Sequence, residues 1–192
     1  MSLVELIAQA DERSLAVSGL ACLDRCVPLL GGDDEVLRPL WSSVSEDAAW
    51  TEHLSKVRAE LDCAKTSEEP DEEPDEAPDE DEAVTLARRM LAAAPEERSG
   101  AALRAWADAC SVAALQIHRM LDVSRDEAQV STRREGRTEG MPPLVAAELR
   151  RQITVLELLA AGTGGLRQAL DVCVEGRRVL RAVVSRRARR RG

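Results

Sequence analysis

The chain has 192 residues, 35 acidic against 26 basic side chains for a net charge of −9, and three tryptophans as its entire aromatic content. That length fits one or two domains. No run approaches the roughly 18 consecutive apolar residues of a membrane-spanning helix, and MSLVELIAQADERSL lacks the basic-then-apolar order of an export signal, so a cytoplasmic protein is expected.

Residues 1–63 read as a first helical lobe. From Asp11 to Leu30, Ala16, Leu20, Leu23, Val27 and Leu30 recur at helical spacing, and Leu15, Cys22, Cys26 and Leu29 widen the apolar arc, which marks a central helix. Pro28 should end or kink it and Gly31-Gly32 close it. After a short Asp33–Val44 stretch interrupted at Pro39, Ser43 or Ser45 is the expected N-cap of a helix carrying Trp50, Leu54, Val57 and Leu61.

Residues 64–83 read as a linker. Residues 67–82 hold eleven Asp or Glu and prolines at 70, 74 and 78, so the stretch repels itself, has no apolar face and should be extended and disordered. Residues 84–187 form the second lobe, expected to pack on the first because a 60-residue chain buries only about 60% of its unfolded surface. Val84, Ala87, Leu91 and Ala94 mark one helix, and Ser99 to Asp122 a second with Leu103, Trp106, Cys110, Ala113, Ile117 and Met120 aligned. Residues 124–143 read as a long loop. Pro142-Pro143 opens a helix with Val145, Leu149, Ile153, Leu156 and Ala160. Gly162-Thr163-Gly164-Gly165 turns it into a last one with Leu166, Leu170, Cys173, Leu180 and Val184, followed by a basic tail at 188–192. Nothing alternates at period two. The fold class is all-α, a compact bundle of about six or seven helices interrupted by the acidic linker.

Chemistry is harder to find than architecture. Cys22 and Cys26, at i and i+4, can share a helical face, but no further Cys or His pair completes a zinc site, and the five cysteines read as reduced apolar side chains. His118 can meet Asp122 one turn later and His53 lies beside the Trp50 stripe; no nucleophile is marked for either. Gly162 to Gly165 lacks the strand or lysine of a phosphate loop. No catalytic, cofactor-binding or metal-binding residue is therefore assigned, and no cofactor is expected.

Two surfaces are candidates. The terminal segment carries Arg177, Arg178, Arg181, Arg186, Arg187, Arg189, Arg190 and Arg191, a set able to contact phosphates or an acidic partner. Phe, Tyr and Asn are absent and Lys occurs only twice, the mark of a GC-rich bacterial genome, so part of that arginine content reflects codon usage. Val155, Leu158 and Leu159 lie off the main stripe of their helix and form a candidate interface, either internal or between copies. The expectation is a non-catalytic helical interaction module, an adaptor or regulator that binds a protein partner or itself. The alternative is a nucleic-acid-associated regulator using the arginine tail. No membrane contact is expected.

Overall fold

Every polar group on a helix that is surrounded on all sides must find its partner inside the protein, and one helix of this chain is so placed. The computed structural model describes residues 1–31, 33–45, 49–66, 78–124, 126–162 and 164–191. The surrounded helix is α2 (Glu12–Cys26), started by the Asp11 carboxylate accepting from the Ser14 N–H at 2.7 Å and buried without a break from Leu15 to Cys26. It packs against α3 (Arg38–Ser45), α5 (Pro78–Ala92), α6 (Gly100–Leu121), α8 (Pro143–Ala160) and α9 (Gly165–Arg191). α1 (Leu3–Gln9) lies over α6 and α8, α4 (Trp50–Thr66) pairs with α3, and α7 (Val130–Arg134) is a short turn beside α6.

The described residues form an all-helical bundle of nine α-helices without strands, two or three more than the apolar stripes reveal. The additional helices are short. α1 is announced by the capping box Ser2–Glu5, in which the Ser2 hydroxyl accepts from the Glu5 N–H and the Glu5 carboxylate accepts from the Ser2 N–H at 2.7 Å. α7 lies inside the stretch that reads as a loop and is held by Arg133, which makes a two-pronged contact with Asp126 and donates to the carbonyls of Arg137 and Glu139.

Other boundaries also differ from those the sequence predicts. Pro39 does not interrupt a helix; it lies in the first turn of α3, where a missing N–H is no loss. Ser43 is within α3, its hydroxyl donating to the Leu40 carbonyl at 2.8 Å, so it does not cap α4. The residue before α4 is Ala49, in the left-handed region at φ 67°. Pro28 acts as expected: α2 stops at Cys26 and a single 3-10 turn follows at Val27–Leu29. The expected linker at 64–83 is shorter at both ends, because α4 runs to Thr66 and Pro78 begins α5 at the position helices favour for proline. The rest of it, 67–77, lies outside the described residues.

The three tryptophans are buried, and each indole N–H has an acceptor, as burial demands. Trp41 donates to Asp24 at 2.7 Å, Trp50 to the Pro95 carbonyl at 2.7 Å and Trp106 to the Met90 carbonyl at 2.9 Å. Trp50 and Trp106 meet edge to face, with centroids 6.0 Å apart. The Trp106 ring lies directly over Gly19 of α2, so a Cβ there would stand 2.6 Å from the indole. Gly19→Ala gains up to about 1 kcal/mol of helix propensity but overpacks by about 1–3 kcal/mol. We expect it to lower stability on balance, by up to about 2 kcal/mol, read as a drop in urea midpoint with unchanged m-value.

Candidate functional site

Neighbours on α2, Asp24 and Arg25 are buried at 2% and 0% relative exposure and point to different partners. Arg25 makes a two-pronged ion pair with Glu148 of α8, Nε to Oε2 at 2.9 Å and Nη2 to Oε1 at 2.6 Å. Its remaining N–H groups reach the sulfurs of Cys22 and Cys173 at 3.5 and 3.7 Å. Glu148 Oε1 also accepts from Gln152 at 2.9 Å, and Gln152 Oε1 accepts from the Ser111 hydroxyl at 2.6 Å. Ser111 in turn accepts from Arg134 at 3.1 Å, and Arg134 pairs with half-exposed Asp108. A line of polar contacts thus runs from the bundle centre to its surface.

His118 of α6 joins this group. Its Nδ1 lies 2.7 Å from the Ala114 carbonyl, which can only accept, so Nδ1 carries the proton and Nε2 faces Glu148 Oε2 at 3.6 Å without a hydrogen bond. The carboxylate expected beside His118 is therefore supplied by Glu148, because Asp122 is occupied elsewhere: its Oδ2 accepts from the Leu144 N–H at 2.7 Å at the start of α8. Burial lowers the His118 pKa, and Glu148 opposes that only in part. Burial pushes Glu148 upward, but Arg25, His118 and the hydrogen bonds outweigh it and hold the carboxyl at about 2. Burial pushes the Cys22 and Cys173 thiols up to about 12 despite Arg25, so both are inert thiols. No described group of three or more His, Cys, Asp or Glu side chains comes together as metal ligands, and Cys22 and Cys26 pack in the core.

Asp24 binds the other end of the bundle. Its Oδ2 takes the Trp41 indole, and Arg177 Nε of α9 lies 3.2 Å from Oδ1. Arg177 also donates to the Asp34 carbonyl, and Arg181 grips the Asp34 carboxylate with two N–H groups. One turn before the helix ends, Arg187 donates to the carbonyls of Met120 and Leu121 at 3.4 and 3.3 Å, the C-terminus of α6.

The eight candidate arginines thus divide by use. Arg177, Arg181 and Arg187 clamp α9 onto the bundle. Arg178, Arg186, Arg189 and Arg190 are exposed and make no salt bridge or hydrogen bond within the described residues, while the side chain of Arg191 lies outside them. At 3.6 residues per turn, Arg178, Arg186 and Arg189 fall within about 80° of arc along roughly 17 Å of helix, with Arg190 at the margin. The residues expected to form a solvated tail are helical to Arg191. Of the candidate interface, Val155 is buried inside the bundle, and Leu158 and Leu159 are half-buried. Gly162 and Gly164 adopt positive φ in the turn between α8 and α9, where Gly165 passes so close to Leu158 that a Cβ would meet its carbonyl oxygen at 2.3 Å; Thr163 lies outside the described residues. No described helix is long and apolar enough to cross a membrane.

Removing one member of a buried pair strands the other charge, at a cost of about 3–5 kcal/mol, whereas replacing both with apolar side chains is often neutral. We expect Glu148→Leu to lower stability by that amount and Arg25→Met with Glu148→Leu to recover most of it in urea unfolding. The His118 proton sets a second expectation. Its native pKa is depressed, so the unfolded chain takes up a proton that the native state refuses, and stability falls as pH drops below about 6.5, by at most about 1.4 kcal/mol per pH unit. Glu148 adds its own loss from 4.5 down to about 2. Asp24, raised by burial against Arg177 and Trp41, acts in the opposite direction at low pH. His118→Gln should flatten the decline that begins at about pH 6.5, as measured by urea midpoints across the range.

Compared with protein-family models, curated proteins and solved structures, the chain matches none of them.

Proposed function

We propose that this protein is a non-catalytic helical interaction module, an adaptor or regulator, whose partner-binding surface is the basic face of α9. The observation that carries this reading is the division of labour among its arginines. Arg177, Arg181 and Arg187 hold the helix in place, so Arg178, Arg186, Arg189 and Arg190 are presented on a supported helix rather than on a floppy tail. Presentation on a supported helix lowers the ordering cost that a disordered arginine segment would meet on binding. After Glu175 the sequence contains no acidic residue, so this end of the helix itself contributes only positive charge, which Asp34 offsets beside Arg181.

The rest of the described surface favours charge over oil. Its exposed large apolar side chains are Met1, Val4 and Val123. An acidic protein surface is the partner that such a face suits. Contact with nucleic-acid phosphates is the second reading, favoured by the same arginines.

Fluorescence anisotropy with labelled polyglutamate and with labelled duplex DNA, at about 50 mM salt, separates the two. Binding of polyglutamate that disappears in the fourfold Arg178→Gln, Arg186→Gln, Arg189→Gln, Arg190→Gln variant, with unchanged circular dichroism, is the expected result. Preferential duplex binding whose affinity falls with salt at a log–log slope of about −2 or steeper supports the second reading, since each neutralised phosphate contributes about −0.9. Failure of both polyanions to bind overturns the assignment of this face.

A further inference from the structure

Arg186, Arg189 and Arg190 flank Arg187, which donates to the Met120 and Leu121 carbonyls, so the basic end of α9 stands beside the last turn of α6. The start of α5 lies at the same place. Joined by residues 93–99 and packed along each other, α5 and α6 run antiparallel, with the Trp106 indole donating to the Met90 carbonyl. Counting twelve residues back from Met90 and twelve on from Trp106 sets Pro78 level with His118, in the last turn of α6. α4 runs antiparallel to α5 in turn: Arg58 donates to the Ala92 and Ala94 carbonyls, and Leu61 shares a cleft with Thr85 and Arg88. Thr66 therefore also ends near the start of α5.

Residues 67–77 are thus anchored, on both sides, at the end of the bundle that carries the basic end of α9. From 67 to 82 the sequence has eleven acidic and no basic residues, with seven of the acids in 67–77. Eleven residues span at most about 36–40 Å, so a segment held at both ends reaches at most about 20 Å from them. That matches the roughly 17 Å along which Arg178, Arg186 and Arg189 are spread. Exposed Asp81 and Glu82, at the described end of the acidic run, make no salt bridge or hydrogen bond within the described residues, and neither do Arg178, Arg186, Arg189 and Arg190. Two charge clusters of opposite sign are tethered at one end of one molecule, where the effective concentration of each for the other is on the order of millimolar.

We propose that residues 67–77 are an intramolecular competitor for the arginine face of α9, their carboxylates pairing with Arg186, Arg189 and Arg190 until a stronger acidic partner displaces them. The inference rests on the reading of that face as the partner-binding surface and adds its regulation. Carboxylate pairing within the chain raises the affinity that a partner must bring, so weak polyanions are turned away. Both clusters are solvated, so the contact weakens as salt shortens the Debye length from about 10 Å at 0.1 M to about 3 Å at 1 M.

Two measurements on the full chain test it. Fluorescence anisotropy with labelled polyglutamate at about 50 mM salt compares the parent with a variant in which every Asp and Glu of 67–77 is replaced by Asn or Gln. Affinity should rise about fivefold or more, and the difference should shrink to about twofold or less at about 200 mM salt. Equal affinities overturn the competitor and leave the arginine face as the binding surface; failure of the neutralised variant to bind removes that surface and the competitor with it. For the second measurement, a nitroxide is attached through Glu72→Cys in a Cys63→Ser background and amide signals are read by nuclear magnetic resonance. The amides of Arg186 to Arg190 should broaden at about 20 mM salt and recover at about 500 mM salt or in the fourfold arginine-to-glutamine variant of α9. Arg88 and Arg89, exposed on α5, are the control. Broadening centred on them, or broadening of α9 that neither salt nor the fourfold replacement relieves, overturns the proposal. An affinity gain without broadening of α9 comes from net charge alone and overturns it as well.

Discussion

The bundle depends on how it neutralises two adjacent buried residues of opposite charge. Asp24 and Arg25 lie on the helix with the most complete burial, and an ion in such surroundings costs several kcal/mol unless a partner arrives in good geometry. Adjacent positions on a helix diverge by about 100°, so the two cannot share one partner. Arg25 therefore fixes α8 through Glu148, and Asp24 fixes α3 and α9 through Trp41 and Arg177. Apolar packing alone would tolerate a helix sliding or rotating by a fraction of a turn. These contacts do not, and we regard them as what sets the register of α3, α8 and α9 around α2.

A second theme is how the chain ends its helices. Several C-termini are met by a guanidinium from elsewhere instead of a glycine cap. Arg104 donates to the Ile7 and Ala8 carbonyls at the end of α1, Arg58 to those of Ala92 and Ala94 at and just past the end of α5, Arg98 to Ser43 in α3, and Arg187 to Met120 and Leu121 in α6. A cation there satisfies orphan carbonyls and faces the negative end of the helix dipole. Arginine content is thereby put to structural use, and a count of arginines overstates the number left for a partner.

Long helices are legible in the sequence because their stripes are wide and regular: α6 from Ser99 and α8 from Pro143 begin where capping and proline rules place them. Short helices escape because five to eight residues carry too few apolar positions to show a period, although the Ser2–Glu5 box marks α1. The buried polar group is out of reach for a different reason. Glu148 and Gln152 face inward from a helix whose apolar stripe is intact without them, and nothing in a linear pattern tells a carboxylate beside solvent from one beside Arg25. His118 stands out in the sequence, but the carboxylate nearest to it along the chain is not the one it faces. The arginine tail is visible as a cluster; which of its members are used up depends on Asp34 and the end of α6, far away along the chain.

That distance has a further bearing on how the molecule is made. Arg25 and Glu148 are separated by 123 positions. At typical rates of about 5–20 residues per second, a ribosome needs roughly 6–25 s to travel from one to the other. During that interval the helix destined for the deepest burial has emerged while the carboxylate that completes its environment has not been synthesised. The burial of the N-terminal segments is thus completed only by sequence that is synthesised much later.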